Sequence, residues 1–515
     1  MTAGFAPAMR GSAVAVILLL VAACTGDIDS PRPFRSTLAW GECPADVEST
    51  FVSRHRCGRL TVLVDRAQPD GPTMDLLVTK VWPQTGKPAP GLATNVGQNI
   101  GDAYRVTGDS AARATRLGRI EVELEWRGAG PHNEPSLRCT EVDELRTELA
   151  AATTDEQAPL FVDAVAQCAD RLRGDGVDPA DFDLEEAAAD LEDLRRALGV
   201  ERWARAGSYG SSVRVLYAYL DRYPDRVGPA FLDSPVPPHV DDLTLGVLGT
   251  RETLDRLFAT CDQSESCSPR FGDLRRQWTS ALQRLDREPL EAVHTTQAGE
   301  RTRVVVDAGK LLRAARFALG GDGPWNLQRL PAVISDAARG RLHPDLGEIV
   351  ATDPGMCFGY RPKCSGHAGD ALGVHLTVLC RDQLAALDRD RLEETTADDP
   401  LHRTVFGESP YLAACEAWDV PVAEAPPPEG LPRNASVLLM TGEFDSFGPP
   451  GLVREWARGL DAHADTLLVP GATHDTSGSH ECARTARNAW VRSSGASWDE
   501  NACAAEPAVD WLPTT

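Results

Sequence analysis

Residues 202–227, RWARAGSYGSSVRVLYAYLDRYPDRV, lead from a short apolar run through a knot of Gly and Ser into a segment with helical apolar periodicity. Few arrangements accommodate that order. A strand that turns directly into a helix needs small residues around the turn, because neighbouring backbone packs against it. Ala206 and Gly210 stand two residues before and after Ser208, which is the spacing of a nucleophile elbow with Ala in place of the first Gly. The pattern predicts a strand over RWARA, Ser208 at its tip, and a helix over 211–221 whose N-terminus stabilises developing negative charge. Ser211 and Ser212 then open the helix and are not nucleophiles. The bland rival is a turn that merely tolerates small residues, and the motif alone does not separate the two.

Around this stretch, short β-rich runs alternate with longer helical ones, the signature of an α/β class with a mostly parallel sheet. Strands are predicted over LTVLVD (60–65), MDLLVTKVW (74–82), GLATNV (91–96) and RIEVELEW (119–126), and later over PAFLDS (229–234), SVLLMT (436–441) and DTLLVP (465–470). Between them, DLEEAAADLEDLRRALGV puts Leu184, Ala188, Leu191, Leu194 and Leu198 on one helical face, with Gly199 at the expected C-cap. The alternation lapses from about 235 to 431, where VLGTRETLDRLFATC and AGKLLRAARFAL read as helices and the Pro-rich VAEAPPPEGLP reads as a semi-rigid linker. The predicted organisation is therefore core over 24–235, a large mostly helical cap insertion over 236–430, and core again over 431–515.

Chain order sharpens the chemistry. In an α/β-hydrolase fold the acid and then the base follow the nucleophile, each in a loop after a strand. Asp445 lies in GEFDSFGPP after SVLLMT, and His474 lies in GATHDTSG after DTLLVP. His474 would take the proton of Ser208, and Asp445 would orient the imidazole and stabilise its cation. Asp233, at the end of an earlier strand, is an alternative acid. His480 and His463 are alternative bases, His463 reading as a helix-end residue and His480 standing deeper into the next helix.

The N-terminus reads as an address. Arg10 and the apolar run 13–20, too short to span a bilayer, fit a secretory signal over 1–23. Val21-Ala22-Ala23-Cys24 resembles a lipobox, which implies lipidation of Cys24 and a lipid-anchored envelope protein, with full secretion as the alternative. Thirteen cysteines leave twelve once Cys24 is set aside, an even number as a disulfide framework requires. Sequential pairing gives Cys43–Cys57, Cys139–Cys168, Cys261–Cys267, Cys357–Cys364, Cys380–Cys415 and Cys482–Cys503. No spacing suggests a metal site, and no Gly-rich phosphate loop suggests a cofactor. A net charge of −24 argues against a nucleic-acid partner. The sequence carries no signal for an oligomeric state.

With elbow, acid and base in place, nearly the whole mature chain resembles the tripeptidyl aminopeptidase and proline iminopeptidase branch of secreted α/β-hydrolases. CGRLTVLVDRAQPDGPTMDLLVTKVW is similar to the family's opening hairpin. EWRGAGPHNEPSLRC is similar to a loop that carries Arg127, Gly128, Gly130, Pro135 and Cys139. LLMTGEFDSFGPP and VPGATHDTSGSHEC resemble its acid and base segments. The resemblance implies a serine peptidase with backbone N–H groups of Tyr209 and a residue near Gly97 as oxyanion donors. One departure stands out: a Gly-Gly-Pro-Gly run in the family is NVGQNIG here, residues 95–101. Three readings follow: an exported peptidase acting on peptide N-termini, a carboxylesterase or lipase-like enzyme with the same residues, or a lipid-anchored binding protein that kept the fold.

Overall fold

The eight predicted strands, joined by one more at the edge, form one nine-stranded sheet in the order β1-β2-β3-β5-β4-β6-β7-β10-β11. The structure, a computed structural model, describes Met1 and residues 34–48, 54–96, 108–320, 327–352, 371–408, 410–496, 498–505, 509 and 511. The chain divides into Met1–Arg35 and Ser36–Thr515, and every element named below belongs to the second unit. The sheet strands are β1 (Thr37–Gly41), β2 (His55–Leu63), β3 (Thr73–Val81), β4 (Leu92–Asn95), β5 (Ile120–Leu124), β6 (Arg205–Tyr209), β7 (Ala230–Asp233), β10 (Ser436–Gly442) and β11 (His463–Val469). The strands β8 (Leu290–Thr295) and β9 (Arg301–Val306) form a separate hairpin.

From β5 to β11 the neighbours are parallel, while β1, β2 and β3 add an antiparallel edge. Parallel neighbours need long crossovers. Helices Gly108–Leu117, Leu184–Ala197, Val213–Arg222 and Pro450–Gly459 lie in the connections. Strands covered on both faces should read as continuous apolar runs, and β7 (AFLD) is buried at every position. The chain passes from β4 out to β5 and then back to β6 on the other side of β4. That reversal opens a crevice at the carboxyl ends of β4 and β6, where open α/β sheets bind ligands.

Helix Leu184–Ala197 forms as its pattern requires. Asp183 caps it by accepting from the Glu186 N–H at 2.8 Å, Leu184, Ala188, Leu191 and Leu194 are buried, and Leu198 is half-buried. The same helix supplies Asp190 to a buried guanidinium. Arg127 donates to both Asp190 oxygens at 2.8 Å and to the carbonyls of Leu63, Val64 and Asp181 at 3.2, 2.8 and 2.6 Å. This ties the end of β2, the loop after β5 and the helix together.

Five of the expected disulfides are formed: Cys43–Cys57, Cys139–Cys168, Cys261–Cys267, Cys380–Cys415 and Cys482–Cys503. They belong to a protein of an oxidising, extracytoplasmic compartment. The expected Cys357–Cys364 pair lies outside the described residues, as do Cys24 and Gly97. Between β7 and β10 no described strand joins the sheet; helices such as Asp242–Gln263, Leu274–Arg287 and Ala308–Leu319 fill that stretch, with the β8–β9 hairpin among them. Among the described residues no helix is long and apolar enough to cross a membrane. Two expectations are corrected: His463 does not end a helix but begins β11, because the helix before it stops at Gly459 and the His463 N–H already bonds to the Ala435 carbonyl, and His480 does not stand inside a helix but at the N-cap of helix Glu481–Ser493.

Replacing Arg127 by Leu leaves Asp190 with Arg66 on one oxygen only, at 2.6 Å, and strips three interior carbonyls of a donor. The expected loss is about 3–5 kcal/mol of unfolding free energy, to be read by urea denaturation of the oxidised protein.

Candidate active site

Ser208 sits one residue before the end of β6, buried between β4 and β7, opposite Leu232. The turn itself falls on Gly210, whose φ of 55° lies in the left-handed region that a side chain disfavours. Ser208 is not among the residues with positive φ, so the strand runs through the serine and bends two residues later. A single 3₁₀ turn, Gly210–Ser212, then leads into helix Val213–Arg222. The Ser208 Oγ makes a 3.1 Å hydrogen bond with the Ser212 Oγ, which itself donates to the Tyr209 carbonyl at 2.8 Å.

Two strands further along the same carboxyl edge, Asp445 follows β10 and His474 follows β11. Their turns meet because residue 442 has no side chain. A Cβ on Gly442 would lie 2.3 Å from the Thr473 carbonyl oxygen and 2.5 Å from that of Ala472, closer than any Cβ approaches. With that space free, the Phe444 N–H bonds to the Ala472 carbonyl at 2.8 Å, and His474 Nδ1 lies 3.1 Å from Asp445 Oδ1. The same carboxylate oxygen accepts from the backbone N–H groups of Phe447 and Gly448 at 2.9 Å. Asp445 is fully buried, whereas 11% of the His474 side chain is open. The ring of Phe447 packs edge-on against the imidazole at 5.1 Å, and the Arg316 guanidinium covers the Phe447 ring at 4.6 Å. His474 and Ser208 are not among each other's described hydrogen-bond partners.

Burial works against charge on both groups, but their mutual attraction outweighs it. Burial disfavours the imidazolium, yet the adjacent Asp445 carboxylate, helped by Asp475 and Asp233, holds His474 above its ordinary value. Burial likewise favours protonated Asp445, yet His474 and the hydrogen bonds to the carboxylate hold it below the usual range.

The alternatives have other partners. Asp233 anchors the turn that carries His474: its oxygens accept from the Thr476 and Ser477 N–H groups at 3.2 and 2.8 Å. The neighbouring Ser234 Oγ accepts from the Asp475 N–H at 3.2 Å. Ser234 and Asp475 both adopt left-handed backbone, at φ 56° and 53°, an unfavourable state that these bonds hold in place. His480 Nδ1 pairs with the Ser479 hydroxyl at 3.0 Å, and His463 lies 3.4 Å from Asp465.

One residue escaped the sequence reading. Arg487, buried on helix Glu481–Ser493, donates to the Tyr209 hydroxyl at 2.8 Å and to the Ser477 Oγ at 2.6 Å, and stacks over Phe231 at 4.9 Å. It thereby couples the residue after Ser208 to the turn after His474. Its helical context reads as an ordinary surface arginine, and nothing in the sequence marks it. Among the described residues no group of three or more His, Cys, Asp or Glu is arranged to hold a metal ion.

A family model described as TAP-like protein matches residues 402–503, the stretch that carries Asp445 and His474. The serine protease Hip1 of Mycobacterium tuberculosis (strain H37Rv) and that of Mycobacterium bovis are each 23% identical to the chain over 435 residues, 76% of this chain and 76% of theirs. Residues 402–503 thus match the TAP-like family model, and the nine-stranded, mostly parallel sheet with its helices is the α/β-hydrolase fold. Among solved structures, the chain is similar to the proline iminopeptidase of Mycobacterium smegmatis (13% identity, TM-score 0.37, covering 84% of this chain and 98% of that one). It is also similar to an α/β-hydrolase fold protein of Chitinophaga pinensis (11% identity, TM-score 0.34, covering 84% and 96%). The hydrolase is a serine hydrolase.

Two outcomes follow from this geometry. In the wild-type hydrolase the neutral form of His474 is lost as pH falls through a value above 6.5. In Asp445→Asn that transition moves to lower pH, as imidazole NMR would record. Arg487→Met should lower kcat by about 100-fold through misplacement of the two turns. KM changes little and the acid limb of the pH profile stays in place, since the bond between His474 and Asp445 is untouched.

Proposed function

We propose that this hydrolase is an exported, lipid-anchored peptidase that removes residues from peptide N-termini, with Ser208 as nucleophile, His474 as general base and acid, and Asp445 as the group that orients it. The observation that carries the reading is the His474–Asp445 hydrogen bond on the same carboxyl edge as Ser208, in the chain order Ser, Asp, His. The name of the relatives, serine protease, supports a peptide substrate. Val21-Ala22-Ala23-Cys24 supports the anchor.

The reaction begins when Ser208 Oγ exchanges Ser212 for His474 Nε2. The imidazole takes the hydroxyl proton as Oγ attacks the scissile carbonyl, and buried Asp445 stabilises the resulting cation. The oxyanion is held by the Tyr209 N–H and by a donor in the 95–101 segment near Gly97. His474 then returns its proton to the leaving amine, the C–N bond breaks, and the acyl group is left on Ser208. Water, deprotonated by His474, attacks the ester and regenerates the serine.

Residues 236–430 act as a cap that limits access to chain ends. Contacts at the acid turn support this: the Ser446 hydroxyl donates to the Arg316 carbonyl at 2.9 Å, and a Cβ on Gly249 would lie 2.2 Å from the Ser446 carbonyl oxygen, so helices Ala308–Leu319 and Asp242–Gln263 press on the turn that holds Asp445.

The test is a panel of aminoacyl- and peptidyl-arylamides beside short acyl esters, assayed with the wild type and Ser208→Ala. Arylamide turnover that Ser208→Ala lowers by about 1,000-fold or more is the expected outcome. Turnover confined to esters assigns a carboxylesterase instead, the reading that the altered 95–101 segment favours. A folded protein that turns over neither is a binding protein.

A further inference from the structure

The antiparallel edge of the sheet carries a group of side chains that the reaction does not use. Trp40 lies on β1, Arg56 on β2 and Lys80 on β3, with Arg54 just before β2 and Trp82 just after β3. Arg56 and Lys80 are cross-strand partners, and the Trp82 N–H bonds to the Arg54 carbonyl at 3.0 Å, so the three cations share one end of the edge. Arg54 sits 4.4 Å from the Trp82 ring centroid and Arg56 5.1 Å from that of Trp40; the Lys80 Nζ reaches both rings, at 5.8 and 5.3 Å. Arg54 and Arg56 are exposed, and Lys80 and both tryptophans are half-buried.

Like charges placed directly across two strands destabilise a sheet, and here no described carboxylate relieves them: none of the three cations has an ion-pair partner among the described residues. Burial, then Arg56 and Arg54, depress the Lys80 ammonium. This in a chain with 76 acidic and 52 basic residues, where pairing partners abound. A cluster that keeps its positive charge unneutralised, interleaved with amphipathic indole rings, has the chemistry of a surface that meets anionic headgroups: Lys and Arg attract the charge and Trp settles at the interface. The overall negative charge does not forbid it, since charges farther than about 8–10 Å are largely screened.

We propose that this edge, built from Trp40, Arg54, Arg56, Lys80 and Trp82, docks the folded hydrolase flat against an anionic lipid bilayer. The proposal rests on the lipid-anchor reading for its tether. Thr37 begins β1 thirteen residues after Cys24, and a chain of that length reaches at most about 45 Å, so an anchored Cys24 tethers the sheet from the strand that carries Trp40. The docked orientation would set the distance of the catalytic crevice from the bilayer and favour substrates presented there.

The test uses the full chain incubated with vesicles of phosphatidylcholine alone and of phosphatidylglycerol mixed with phosphatidylcholine, at low and high salt, with hydroxyl-radical footprinting. Trp498, packed at the β11 end of the sheet, is the internal reference. Oxidation of Trp40 and Trp82 should fall several-fold in the anionic vesicles relative to the neutral ones, recover at high salt, and lose its lipid dependence in Arg54→Glu/Arg56→Glu/Lys80→Glu. That variant should keep wild-type Trp498 oxidation and hydrolytic rate, which certifies its fold. Vesicle association with equal oxidation in both lipids would sink the docking face and leave the anchor standing. Failure to associate with either vesicle, even at low salt, would overturn both. Equal protection by soluble heparin would assign the face to polyanions and contradict the bilayer claim.

Discussion

How closely the turn after β10 can approach the turn after β11 decides what the carboxyl edge of this sheet can do. Parallel strands set neighbouring turns about 4.8 Å apart, and here the turn after β11 folds back over residue 442, where a side chain would collide with it. Gly442 resolves the conflict by offering none, so the carbonyls of Ala472 and Thr473 occupy the space a Cβ would take. The Phe444–Ala472 backbone bond then locks the turns, and Asp445 falls opposite the Nδ1 of His474. The chemistry at the site is downstream of that contact. A carboxylate placed a residue earlier or later in the turn would face elsewhere.

The surroundings spend buried charge to fix those turns. Isolated buried ions are costly, and each here is matched by hydrogen bonds. Asp233 is spanned by two backbone N–H groups, Asp445 by two more and an imidazole, and Arg487 by two hydroxyls and an aromatic face. Arg487 and Asp233 approach the turn after His474 from the helix side and the sheet side. The base is therefore held relative to Tyr209 by two independent supports, while the serine keeps a local partner in Ser212. The arrangement separates a rigid acid and base from a nucleophile that must change partner to react.

Much of this was legible in the sequence where the signal was local. Each of the seven predicted runs, together with the stretch before Ser208, overlaps a sheet strand, because each is a short run rich in apolar and β-branched residues bounded by turn residues, and the helix over 184–197 was marked by its cap and its face. Chain order together with placement in a loop after a strand favoured Asp445 and His474 over Asp233, His463 and His480, and the structure brings those two together. Long-range pairing was not legible. The strand TLAWG is short and weakly patterned, and it exists because β2 offers an edge; the β8–β9 hairpin sits inside a stretch read as helical. The anchoring role of Asp233 and the bridging role of Arg487 depend on partners more than 200 residues away. Nor did the motif foretell that the left-handed residue would be Gly210 rather than Ser208: G-x-S-x-G spacing records where small residues stand, not which of them carries the turn.

The most direct measurement of the central claim is reaction of the folded hydrolase with a fluorophosphonate, followed by peptide mapping of the adduct. The account predicts one adduct, on Ser208, formed faster as pH rises through the His474 transition. An adduct on another serine, or none on protein whose disulfides and fold are intact, would contradict it.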